Sequence, residues 1–135
     1  MRYRPIKETH TLTEIVIPYT PRELQNELHT KLDDHRWAVI VCHRRFGKTV
    51  MAINHLLRAS ILCKKPNPRF AYVAPTYRQA KSVAWDYIKQ FTNKIPGIKY
   101  NETELRCDLP SGARITLLGS ENPDSLRGIY LDGCV

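Results

Sequence analysis

The chain has 135 residues, with 21 Lys+Arg against 13 Asp+Glu, for a formal net charge of +8. Hydrophobic residues make up 42% and charged residues 25%, a globular composition that excludes disordered and collagen-like chains. No apolar run approaches the roughly 20 residues of a membrane-spanning helix, so one domain with a real core and no membrane partner is expected.

In chain order, Met1-Arg2-Tyr3-Arg4-Pro5 leads into polar residues rather than the apolar stretch of a secretory signal, which predicts a cytoplasmic place. Thr13–Ile17 is a short strand candidate, followed by Pro18 and Pro21 as punctuation. Thr20 is placed to cap a helix opened by Pro21, with Glu23 three residues after the cap and Leu24, Leu28 and Leu32 down one face. Trp37–Cys42 is continuous and β-branched, the pattern of a strand buried on both faces of a parallel sheet.

After a glycine turn at Gly47, a helix is predicted from about Lys48 to Leu62, with Val50, Ile53, Leu57 and Ile61 at helical spacing. Pro66 and Pro68 end it, and Phe70–Ala74 reads as a second buried strand. Pro75-Thr76 turns into a helix over Arg78–Phe91 that faces Ala80, Val83, Ala84, Tyr87, Ile88 and Phe91 inward. Ile98–Asp108 and Ala113–Leu118 look like two strands joined by Pro110-Ser111-Gly112, and Ile129–Val135 starts another. This order predicts an α/β fold with an open, mostly parallel sheet and flanking helices.

Cys42, Cys63, Cys107 and Cys134 form no CxxC pair and the five histidines are scattered, so buried thiols are expected rather than a zinc site. The positive charge is uneven. Residues 51–100 carry nine basic groups and one acidic, from Arg58 through Lys64, Lys65, Arg69, Arg78, Lys81, Lys89, Lys94 and Lys99. Such a surface suits either a polyanion, bound without reading sequence, or plain solvent.

The strongest chemical signal is Cys42-His43-Arg44-Arg45-Phe46-Gly47-Lys48-Thr49, between the predicted strand and the predicted helix. That is the context of a phosphate-binding loop. Gly47 lets the backbone turn sharply toward phosphate oxygens, and the helix start supplies unpaired N–H donors and a partial positive charge. Lys48 would reach the β- and γ-phosphates of ATP, and the Thr49 hydroxyl would ligate Mg²⁺. Phe46, Gly47 and Val50 complete the predicted nucleotide-binding stretch. Cys42 stands where the usual first glycine belongs.

This loop, lacking its first glycine, resembles the Walker A variant of large terminase subunits, the motors that package DNA into phage procapsids. Pro21-Arg22-Glu23-Leu24-Gln25 is similar to that family's adenine-recognition motif, which implies that Gln25 hydrogen-bonds the base. Tyr72-Val73-Ala74-Pro75-Thr76-Tyr77-Arg78-Gln79-Ala80-Lys81 is similar to its segment after the first crossover. Asn122-Pro123-Asp124-Ser125-Leu126-Arg127-Gly128 is similar to the segment before its second acidic motif, which implies that Arg127 senses the γ-phosphate or pairs with a carboxylate near it. Of the two loop arginines, the resemblance favours Arg44 over Arg45 as a catalytic partner of Lys48, while both count as nucleotide-binding.

The resemblance implies a P-loop NTPase fold of the additional-strand, RecA-like kind, incomplete at the C-terminus. Residues 1–18 then form an N-terminal extension and residues 19–135 a partial ATPase domain. It also implies ATP hydrolysis coupled to translocation of double-stranded DNA, a ring of identical subunits, and a small terminase subunit and portal as partners. The family's Asp-Glu pair is expected beyond Val135, with Asp132 a weaker candidate for the magnesium carboxylate. Two alternatives stand beside this reading: a helicase-like P-loop ATPase fragment, and a remnant that binds nucleotide or DNA without turnover.

Overall fold

The computed structural model describes residues 2–3 and 14–135, so Thr13 of the first strand candidate lies outside the described residues. Strands β1 (Arg2–Tyr3) and β2 (Ile15–Val16) pair antiparallel. Helix α1 (Glu23–Asp33) follows, then helix α2 (Lys48–Leu62) and strand β3 (Arg69–Ala74). A continuous helical stretch comes next, made of α3 (Tyr77–Gln79), a π-helical turn (Ala80–Trp85) and α4 (Asp86–Thr92). Strands β4 (Lys99–Asn101), β5 (Arg106–Asp108) and β6 (Arg114–Gly119), a 3-10 turn (Pro123–Leu126) and strand β7 (Gly133–Cys134) complete the chain.

Five strands form one sheet in the order β4-β5-β6-β3-β7. Strand β3 pairs parallel with β6 along its whole length, from Arg69 opposite Arg114 to Ala74 opposite Gly119, and parallel with β7 on its other side. The β4–β5 and β5–β6 pairs are antiparallel, because short turns return the chain directly beside itself. The sheet is therefore mixed rather than mostly parallel. Ile53, Leu57 and Ile61 of α2 close a core with Phe70, Ile115, Leu117, Ala84 and Ile88, joined from the N-terminal side by Ile15, Ile17 and Tyr19.

Several expectations are corrected. Trp37–Cys42 carries no regular secondary structure and belongs to no sheet, with Trp37 79%, Val39 92% and Val41 91% exposed. Ile98–Asp108 is two strands, since the Asn101 side-chain oxygen accepts the N–H groups of Thr103 (3.1 Å) and Glu104 (2.9 Å) and folds the run into a turn. The cap of α1 is Arg22 rather than Thr20, and its buried face carries Gln25 and His29 while Leu24 is exposed.

In the predicted 78–91 helix, the π turn takes more residues per revolution than an α turn. It rotates Val83 outward and brings Trp85 inside, where its indole N–H donates to Glu102 at 2.6 Å. The predicted strand 129–135 contracts to β7, leaving Ile129 and Tyr130 exposed. Among the cysteines only Cys107 is buried, its thiol pushed up to about 12 by desolvation; Cys42 and Cys63 are half-buried and Cys134 is exposed. Helix α2 matches its predicted bounds.

Candidate functional site

The loop before α2 is curled by two residues in the left-handed region, Arg45 (φ 65°) and Gly47 (φ 87°). Gly47 is required twice over. Its φ strains any residue with a side chain, and a Cβ there would stand 2.7 Å from the Gln25 amide nitrogen. The chain makes a turn at Arg44–Arg45, and at the start of α2 the N–H groups of Lys48, Thr49 and Val50 have no helical acceptor behind them, so the helix start presents a run of free donors. The Lys48 ammonium folds back over this run, donating to the carbonyls of Cys42 (2.8 Å) and His43 (3.3 Å). Helix-start N–H groups and a lysine in one place are chemically suited to an anion.

Other residues shape the loop from behind. Phe46 is buried and meets His43 edge-on, with ring centroids 6.1 Å apart. The Arg22 guanidinium donates to the Phe46 carbonyl and lies 5.9 Å from its ring centroid. Gln25 donates to the carbonyls of Phe46 (3.4 Å) and Gly47 (3.3 Å), and its side-chain oxygen accepts the Arg22 N–H at 2.9 Å.

One turn further along α1, buried His29 accepts or donates at 3.0 Å to the Tyr19 hydroxyl and at 3.0 Å to His55 of α2. Burial, with His55 and Arg58 nearby, holds the His29 imidazole down at about 4, while Asp33 pulls weakly the other way. The sequence reading did not single out Arg22, Tyr19, His29 or His55 as parts of the site. The spacing of Arg22 and Gln25, three residues apart at a helix start, was the available signal.

The remaining candidates are more dispersed. Arg44 and Arg45 are exposed, with no ion pair among the described residues. Val50 is half-buried in α2, and Thr49 sits beside the Tyr72 phenol of β3, whose pKa is raised by burial. Arg127 is exposed on its own turn and pairs with Asp124 at 3.3 Å.

Asp132 lies at the amino end of β3. There its carboxylate accepts the Arg69 N–H (2.9 Å), the Lys65 ammonium (2.9 Å) and the Tyr130 hydroxyl (2.8 Å), which together hold it at about 2. Tyr72 is three residues along β3 from Arg69, roughly 10 Å. With its oxygens already engaged, Asp132 joins β7 to β3. The described residues include no cluster of three or more His, Cys, Asp or Glu able to hold a metal. For Mg²⁺, Thr49 fits as a single hydroxyl ligand.

The basic middle of the chain is partly neutralised. Arg58 pairs with Asp33 (2.6 Å), Lys65 with Asp132 and Lys89 with Glu102 (3.3 Å), while Arg69 donates to the carbonyls of Pro68 and Gly112. Lys64, Arg78, Lys81, Lys94 and Lys99 are exposed and make no ion pair among the described residues. The described residues include no helix long and apolar enough to cross a membrane.

Compared with solved structures, the chain is similar to the large terminase ATPase domain of Thermus phage P74-26, with 20% identity, a TM-score of 0.60 and 87% of this chain covered. An arginine-to-alanine variant of that domain matches equally well, at 20% identity and a TM-score of 0.59. The chain shares the fold of a large terminase ATPase domain. It spans about half of that domain's length, covering 53% of the solved chain. No family model matches the sequence, and no curated protein does.

Proposed function

We propose that this chain is the ATP-binding part of a large terminase subunit, in which nucleotide turnover drives double-stranded DNA into a procapsid. The observation that carries the nucleotide part is the left-handed curl at Arg45 and Gly47 leading into the open start of α2, with Lys48 folded over it. In this reading the backbone from 43 to 50 cradles the phosphates, Lys48 leaves its loop carbonyls for the β- and γ-phosphates, and Arg44 and Arg45 add positive potential. Magnesium, when bound, neutralises the phosphate oxygens beside the Thr49 hydroxyl.

Double-stranded DNA suits the exposed Lys64, Arg78, Lys81, Lys94 and Lys99, which would neutralise backbone phosphates without reading bases. A ring of identical subunits, a small terminase subunit and a portal belong to the same reading. One observation favours a second reading, nucleotide binding without turnover by these residues: the Asp132 carboxylate is already occupied by Lys65, Tyr130 and Arg69.

Calorimetric titration of MgATP into the chain and into Lys48→Ala tests the proposal. Loss of the ammonium is expected to weaken binding by at least about tenfold, the scale of one charge-assisted contact. Equal affinities would overturn the assignment of the loop.

A further inference from the structure

Helix α1 has no apolar side chain fully buried; its buried residues are Gln25 and His29, so polar contacts decide how it sits. His29 is 2% exposed and bonded at both ring nitrogens. Its Nε2 lies 3.0 Å from the Tyr19 hydroxyl, and its Nδ1 lies 3.0 Å from Nδ1 of His55 on α2, whose ring stacks on it at 5.2 Å between centroids. A neutral imidazole has one N–H and one bare nitrogen, so a donor at one edge requires an acceptor at the other. If Tyr19 donates to His29, His29 donates to His55; reversed, both bonds reverse together. The two bonds therefore form one chain, and breaking either loosens both. Tyr19 is buried and meets Phe91 of α4 edge-on at 6.1 Å, which anchors the far end of the chain in the core. One turn further along, Asp33 of α1 pairs with Arg58 of α2 at 2.6 Å.

We infer that the Tyr19–His29–His55 chain is a positioning device for the nucleotide site: it fixes the rotation of α1 on α2 and so sets where the start of α1 meets the loop. Gln25 lies one turn, about 6 Å, before His29 on the same buried side. From there Arg22 and Gln25 reach the carbonyls of Phe46 and Gly47, beside the residues that open α2. His55 lies roughly 10 Å along α2 from Lys48. The start of α1 and the histidine pair therefore hold the two helices at two heights, and turning α1 about its axis takes Arg22 and Gln25 away from the loop. His29 and His55 bond each other and Tyr19 rather than the loop, so they are positioning residues that act through α1. The inference rests on the loop being the nucleotide site.

Calorimetric titration of MgATP compares the unaltered chain with His29→Leu, His29→Gln, His55→Leu and the double variant of both leucine changes. Ile61→Val serves as a core change away from the chain of bonds, and Lys48→Ala as the loop control. Each leucine variant is expected to weaken binding by about two- to tenfold, the scale of one hydrogen bond. The double variant is expected to lose no more than the worse single one, because both changes break the same chain. His29→Gln, whose amide also offers a donor and an acceptor, recovers part of the loss, and Ile61→Val leaves affinity unchanged. Before any ligand is added, amide shifts in His55→Leu should concentrate on residues 22–25 and 46–47 and spare β4 and β5, a pattern that general loosening does not give. His55 is half-buried, so its variant carries the test if His29→Leu does not fold. Unchanged affinity in His55→Leu, losses that add in the double variant, or an equal loss in Ile61→Val would overturn the device. Failure of the unaltered chain to bind MgATP, or binding indifferent to Lys48→Ala, would overturn the nucleotide-site reading instead, while the ligand-free shifts still decide whether the chain sets α1.

Discussion

Strand β6 and the segment Trp37–Cys42 are alike in composition and opposite in fate. Both are short, apolar and rich in β-branched or large aliphatic residues. In β6, Ile115 and Leu117 are fully buried, and the backbone is paired on both sides by β3 and β5. In Trp37–Cys42, no backbone N–H finds a partner among the described residues, and alternate side chains stand almost wholly in solvent. Hydrophobic pattern makes a segment able to be a strand, while pairing decides whether it is one. The loop 43–47 follows the unpaired segment, so its side-chain contacts come from the other side, from Arg22 and Gln25 at the start of α1.

The largest expected effect sharpens that contrast. Leu117→Ala leaves a cavity in the packed core and is expected to cost about 2–5 kcal/mol, whereas Val39→Ala, at an exposed position, should stay within about 0.5 kcal/mol. Urea midpoints at equal slope measure both. A cost at Val39 comparable with that at Leu117 would show that the segment is packed in solution.

A smaller effect probes the α1 fastening. The His29 imidazole is held at about 4 against an ordinary 6.5 by burial and by its neighbours His55 and Arg58, with Asp33 opposing and Tyr19 bonded to its other nitrogen. Because the unfolded chain takes up this proton first, stability is full above pH 6.5 and falls as pH drops toward 4. Thermal midpoints should decline across that window, and His29→Gln should flatten the decline. An unchanged slope in that variant would remove His29 from the account.

Legibility in the sequence followed the range of the forces involved. Helix α2 was readable because its apolar spacing and its glycine and proline limits are local. The turn at Gly47 into α2 was readable for the same reason. Helix α1 was placed correctly and Leu28 and Leu32 are half-buried, but Leu24 is exposed and the buried positions are Gln25 and His29, polar residues satisfied by partners 21 to 26 positions away. The outward rotation of Val83 follows from a π turn that no spacing rule reveals. The fate of Trp37–Cys42 was illegible because strand pairing is a non-local fact. Asp132 reads like a site carboxylate until its partners Lys65, Arg69 and Tyr130 converge on it.

A concavity away from the loop gives it a competitor as a ligand site. A cavity of about 660 Å³ lies between Trp37–Ile40 and β7, bordered by Met51, His55 and Phe70. Mapping backbone amide shifts during titration with MgATP separates the two places directly. The phosphate-loop account predicts that the largest shifts fall on residues 43–50, with Gly47 and Lys48 foremost, and that they vanish in Lys48→Ala. Shifts concentrated instead on residues 37–40 and 131–135, with the loop amides silent, would contradict it.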